Sequence, residues 1–228
     1  MAKERQARPF LAGLLVLTFG AGLVDAASVL GLGHIFTANM TGNLVFLGFA
    51  LSGVKLVAVP ESLLALGSFM LGALAGGRLS RVRPPRALKV ALALEVALLA
   101  LAGGLALAWP RVLPLLALLG GAMGLRNAVV RQLAVPDMTT TVLTMTVTGL
   151  AADSSLAGGD NPRWRRRIGA VASMLFGALS GAALLKEGLW VVIAAAALVE
   201  AAAAGMLLEA LVQDSPAATE PILEKRAT

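Results

Sequence analysis

The sequence predicts an all-α integral membrane protein. The plan is an inverted internal repeat of six full transmembrane helices plus two shorter re-entrant or broken helices. Three observations predict it. Of 228 residues, 58% are hydrophobic and 14% charged, against about 45–50% and about 25% in a soluble domain. The apolar residues gather into eight runs of roughly membrane length, a span needing ~20 mostly apolar residues. The basic residues gather between those runs.

The runs cover 10–33, 40–58, 62–78, 88–109, 112–134, 138–157, 168–185 and 189–211. The first follows Lys3, Arg5 and Arg8 and contains Asp25; it is too long for the apolar part of a signal peptide, and no clear cleavage pattern follows it. The second opens on Thr37-Ala38-Asn39-Met40-Thr41-Gly42-Asn43. The third carries Gly72 and Gly76, and the fourth carries Glu95 and ends at Trp109. The fifth contains Met123-Gly124-Leu125-Arg126-Asn127-Ala128. The sixth opens on Pro136-Asp137 and a Thr-rich stretch from Thr139 to Thr146. The seventh carries Gly177 and Gly181, and the eighth begins near Trp190 and holds Glu200. Small residues spaced by four form close-packing seams between helices in lipid, and indoles anchor span ends at the interface. Residues 213–228 form a polar tail with Pro216 and Pro221, expected to fray in solvent.

The two halves, 1–109 and 110–212, repeat. Ser68, Gly72, Ala73, Leu74 and Gly76 recur 105 positions later as Ser173, Gly177, Ala178, Leu179 and Gly181, and Glu95 recurs as Glu200. Leu23-Val24-Asp25-Ala26 matches Leu125-Arg126-Asn127-Ala128, and each is followed by a Thr-rich opening. Loop charge then chooses the topology. Eight full spans, the alternative, would put Arg78, Arg81, Arg83, Arg86 and Lys89 outside, against the positive-inside rule. If the second and sixth runs enter and leave on one side, that connection joins Arg163, Arg165, Arg166 and Arg167 in the cytoplasm, with both termini. Each half then crosses three times, so the halves are oppositely oriented, a common transporter plan.

Composition excludes several classes. Without Cys and with one His, a disulfide scaffold, a zinc-cysteine site and a His cluster are ruled out; no metal and no cofactor are expected. The net charge of +6 lacks the interleaved aromatics of a nucleic-acid stacking platform, so no nucleic-acid partner is expected. No Ser-His pair, His-Glu metal motif or Cys nucleophile stands in register, so the chain does not read as an enzyme.

Ionisable groups within spans are costly and read by default as functional. Asp25 and the Arg126-Asn127 pair are expected to approach one another near the central axis, as a binding or gating pair or as a buried ion pair fixing register. Asn39, Thr41, Gly42 and Asn43, with Thr144 and Thr146 in the second half, are expected to open half-helices inside the membrane. Their orphan N–H groups and positive dipole ends attract an anion or a carbonyl; the other reading is ordinary helix caps at the membrane surface, with Thr hydroxyls bonded to preceding carbonyls. Pro136 is expected in the first turn of the second of these, and the two starts are expected to meet near the midplane. Glu95 and Glu200 read either as proton-coupling carboxyls or as hydrogen-bonding groups between helices or across a homodimer interface. His34, at the outer end of the first run, reads as an interfacial residue or a proton relay.

Asp25-Ala26 followed by Phe36 to Asn43, with the Met123–Ala128 stretch and the later Thr run, resembles the YoaK-like family of bacterial multi-pass membrane proteins, a domain-of-unknown-function family. The resemblance spans nearly the whole chain. It departs at Arg126, where the family commonly shows Gln, and at Thr144-Met145-Thr146, where it commonly shows Thr-Gly-Thr. It implies the bacterial inner membrane and supplies no substrate. The expectation from the residues is a small-solute transporter or channel in the lipid bilayer, its site between the halves and its solute a small anion or carboxylate. The competing expectation is a non-transporting assembly factor or sensor partner.

Overall fold

A computed structural model describes residues 2–54, 59–81 and 84–213. Lys55, Arg83 and the tail beyond Gln213, on which part of the loop reading rests, lie outside the described residues. All regular structure among the described residues is helical: α1 Ala2–Gly31, α2 Met40–Leu51, α3 Val59–Leu79, α4 Pro84–Ala108, α5 Val112–Leu133, α6 Thr144–Ala152, α7 Trp164–Leu184 and α8 Leu189–Gln213, with a single 3-10 turn at Ser155–Ala157.

Six of these helices contain apolar windows long enough to cross a bilayer. The shortest of them have 21 residues, which at ~1.5 Å per residue reaches the ~30 Å of hydrocarbon. The other two fall short: α2 has 12 residues and α6 has 9. The chain is thus a multi-pass membrane protein, with six helices among the described residues long and apolar enough to cross. The sequence expectation overshot both short elements. α2 stops at Leu51, where Ser52 and Gly53 (φ +93°) end the helix. α6 begins at Thr144, so Pro136 is not in its first turn. The stretch before it is kept out of helix by left-handed residues at Ala134, Asp137 and Thr140 and by the Thr139 hydroxyl, which donates to the Val142 carbonyl at 2.5 Å. Such side-chain bonds compete with helix formation.

Burial grades the helices in matched pairs. The apolar windows of α1 and α5 are 61% and 56% buried, those of α4 and α8 are 39% each, and those of α3 and α7 are 17% and 22%. α1 and α5 are therefore central and α3 and α7 face lipid. The small-residue seams explain the pairing. Gly72 and Gly76 of α3 lie on the backbone of Gly121 and Leu125 in α5; Gly177 and Gly181 of α7 lie on Phe19 and Leu23 in α1. Gly124 fits against Phe69 and Ala73, and Gly22 against Met174 and Ala178. Each contact in one half has its counterpart in the other, 102 positions on for α1 and α5 and 105 for α3 and α7. A Cβ at Gly72 or Gly177 would strike a carbonyl oxygen, so only glycine permits this approach.

The same contacts fix direction. Rising numbers meet rising numbers, so α3 runs parallel to α5 and α1 parallel to α7. Gly13 meets Leu207 while Gly31 meets Leu189, so α1 and α8 are antiparallel. α4 packs on α8 and α5, antiparallel to both. Hence α1, α4 and α7 run one way and α3, α5 and α8 the other. Two apolar clusters fill the interior. One gathers Leu23, Leu99, Leu116, Leu119 and Val192; the other gathers Leu14, Leu17, Leu92, Val129 and Leu207. Each central helix contributes to both, so a layer lies between them at mid-depth.

Candidate functional site

That layer is charged. Glu95 lies on α4 between Leu92 and Leu99, and Glu200 on α8 between Ala197 and Ala203. Each sits at the middle of a 25-residue helix. Both turn to Arg126 of α5. Its Nη1 pairs with Glu200 Oε1, lies 3.2 Å from Glu95 Oε1 and donates to the Leu17 carbonyl of α1 at 3.2 Å. Its Nη2 reaches the Met123 sulfur at 3.0 Å. All three charged side chains are fully buried among the helices of one chain. The layer joins four helices, at an insertion cost of about 2.5–3.5 kcal/mol for a central charge. Gly20 of α1 makes room for it, since a Cβ there would overlap the Glu200 carboxylate.

Asp25 stands further along α1, five positions beyond Gly20, within electrostatic reach of Arg126, and its Oδ1 is buried without a hydrogen-bond partner. The expected approach of Asp25 to Arg126 is met at a distance, while the direct ion partners are the two glutamates. Sequence reasoning weighed Glu95 and Glu200 separately from Arg126. Their shared 105-residue offset and central position were the signal that could have joined them. Asn127, the counterpart of Asp25, donates to the Met123 carbonyl at 2.8 Å and accepts a short bond from the Thr141 hydroxyl, tying the loop before α6 to α5.

The short helices serve otherwise than expected. α2 packs on α3 and α6 on α7, each against the third helix of its own half, so their starts are not brought face to face. The centre is occupied by α1, α4, α5 and α8. Asn39 stands at the start of α2 without a side-chain cap bond. Asn43 is buried and closes its own loop, accepting from the Phe36 N–H at 2.9 Å and donating to the Phe36 carbonyl at 2.5 Å. The Phe36 ring lies against Gly42, so a Cβ there would have to displace the ring. Thr41 and Thr144 are exposed and Thr146 is buried. His34 is exposed with φ +64° and donates its N–H to the Val29 carbonyl at 2.9 Å, ending α1. Trp109, Trp164 and Trp190 are about half exposed at helix ends.

A clamp that the sequence reading missed holds α6. Arg167 of α7 reaches Asp137 before α6 at 3.0 Å and Asp153 after it at 2.7 Å, and donates to the Gly149 carbonyl within it at 2.5 Å. Arg163 adds a second bond to Asp137 at 2.7 Å. Partial burial pushes the Asp137 carboxyl up, but hydrogen bonds from Arg163 and Arg167 and their charges outweigh that and hold it below the ordinary aspartate range. The signal was present in the arginine cluster, which had been read only for topology. A cleft of about 540 Å³ opens between α3, α5 and the loop before α6. Asn127, Arg131, Gln132 and Thr139 supply its polar groups, and Arg78 and Arg81 line the adjoining groove.

With this arrangement in view, the comparisons with known proteins are decisive for the family. The model of the family described as "Protein of unknown function (DUF1275)" matches residues 13–206. The chain belongs to this family. Within it, the chain is 38% identical over 154 residues to the UPF0700 transmembrane protein YoaK of Bacillus subtilis (strain 168), covering 65% of this chain and 68% of that protein. The matched family span includes Asp25, Glu95, Arg126 and Glu200. No solved structure matches.

Proposed function

We propose that the protein is a small-solute transporter or channel of the bacterial cytoplasmic membrane, built as an inverted repeat with both termini in the cytoplasm. The observation that carries the reading is the charged layer of Glu95, Arg126 and Glu200 at mid-depth, between two halves whose matching helices run in opposite directions. Ionisable groups there mark solute and ion pathways, and sites at the midplane between inverted halves are the transporter pattern. Orientation rests on the arginines of the α3–α4 and α6–α7 connections, which the positive-inside rule puts in the cytoplasm. The cleft then opens to the cytoplasm with Arg78, Arg81 and Arg131 around it, which favours a small anion or carboxylate. Arg126 is already engaged by Glu200 and Glu95, so the rim draws the anion and Asn127 and Thr139 line its path inward.

The test is flux into proteoliposomes of chloride, formate, acetate and phosphate. Flux in the wild type, reduced at least tenfold in Asn127→Ala or Arg131→Ala with the fold retained, supports the reading. Flux equal to empty vesicles for every probe, or unaltered in both variants, removes the site. One observation favours a second reading, a non-transporting assembly or sensor protein. Arg126 binds groups from α1, α4 and α8, as a register-fixing network would. The absence of flux with a folded protein would favour it.

A further inference from the structure

The charged layer does not balance. One guanidinium faces Glu95 from α4 and Glu200 from α8, with Asp25 of α1 within electrostatic reach. These are the titratable groups turned to Arg126 from the helices packed around it. Both glutamate Oε1 atoms converge on the same Nη1, so the two carboxyls are close neighbours with no water-exposed surface. Two carboxylates that share one buried site and one cation cannot both remain ionised without a large uncompensated charge. Each also has a second oxygen, Glu95 Oε2 and Glu200 Oε2, that is buried without a hydrogen-bond partner. A carboxyl whose outer oxygen is unpartnered has a place for a proton, and a pair of this kind titrates as a unit.

We propose that Glu95 and Glu200 form a proton-binding site in which the pair holds one exchangeable proton beside Arg126. The position is suited to coupling. Glu95 and Glu200 are equivalent in the two halves, whereas the counterpart of Arg126 in the first half is Val24. A single guanidinium thus lies between two equivalent carboxyls, nearer to Glu200. If the halves shift relative to one another, the guanidinium can pair more closely with Glu95 and the proton pass to Glu200, with no net change in charge. This inference rests on the transporter reading and names its coupled ion.

Infrared difference titration of the purified protein in lipid nanodiscs, in H₂O and D₂O, tests it without a solute. The expected result is a protonated-carboxyl stretching band that persists at neutral pH. Its amplitude falls by one carboxyl's worth in Glu95→Gln or in Glu200→Gln, because the remaining glutamate is then balanced by Arg126. Asp137→Asn, outside the layer, leaves it unchanged. No such band in the wild type at neutral pH overturns the inference, as does a band untouched by both glutamine variants. If a glutamine variant fails to fold, Asp25→Asn removes the third buried carboxyl near Arg126: a band that persists in it supports the glutamate pair, and a band lost with Asp25 overturns the inference. The two readings fail separately: a band without flux in any proteoliposome assay sinks transport alone, and flux without the band sinks the proton site alone.

Discussion

Arg126 is held in place by groups from three other helices, so its removal exposes two buried glutamates to one another. Breaking a buried charge network by deleting one partner costs about 3–5 kcal/mol. Arg126→Leu is therefore expected to lower the thermal unfolding midpoint in detergent sharply. The triple variant with Glu95→Gln and Glu200→Gln is expected to regain most of the loss, because no unpaired charge remains. A second prediction concerns the seams. Gly72→Ala and Gly177→Ala each push a methyl group into a carbonyl of a neighbouring helix and are expected to cost about 1–3 kcal/mol, similar in the two halves. Gly67→Ala, with nothing within 4 Å of its Cβ position, is expected to be neutral in the same melt. At this scale the sequence was partly legible. Asp25, Glu95, Arg126 and Glu200 stood out because charge is costly in lipid. Their partners did not, since pairing depends on which helices become neighbours. The loop contacts of Asn43 and Asn127 were not legible, because they depend on backbone geometry that composition does not express.

At the scale of elements, the apolar runs gave the six long apolar helices, because hydrocarbon thickness acts on sequence directly. The short helices were found but misplaced. The start of α6 is set by left-handed residues and by the Arg163–Asp137–Arg167 clamp, both of which need the fold. That clamp carries a pH prediction. Asp137 is held below its ordinary range, so its ion pairs stabilise the loop in full above the ordinary value of about 3.9. They fade as pH falls through the lowered value. Asp137→Asn is expected to increase proteolysis of the 134–143 loop at neutral pH, with the difference from wild type vanishing in strong acid. The chain has no cysteine, so single cysteines report position cleanly. His34→Cys and Ser52→Cys, flanking α2, are expected to react with a membrane-impermeant maleimide from the same side, because 12 residues of helix reach only ~18 Å.

At the scale of the whole molecule, the matching helices of the two halves share one packing plan and run in opposite directions. The matched glycine seams were legible through the 105-residue offset, while the exchange of partners, α3 on α5 and α7 on α1, was not, since a sequence does not say whether a seam closes within its own half or on the other. The measurement that bears most directly on this is impermeant-maleimide labelling of intact cells expressing Arg81→Cys, Asp160→Cys or Glu187→Cys. With both termini in the cytoplasm, Glu187→Cys is expected to react at once, while Arg81→Cys and Asp160→Cys react only after the membrane is opened. Labelling of Arg81→Cys in intact cells, with Asp160→Cys protected, would contradict that arrangement.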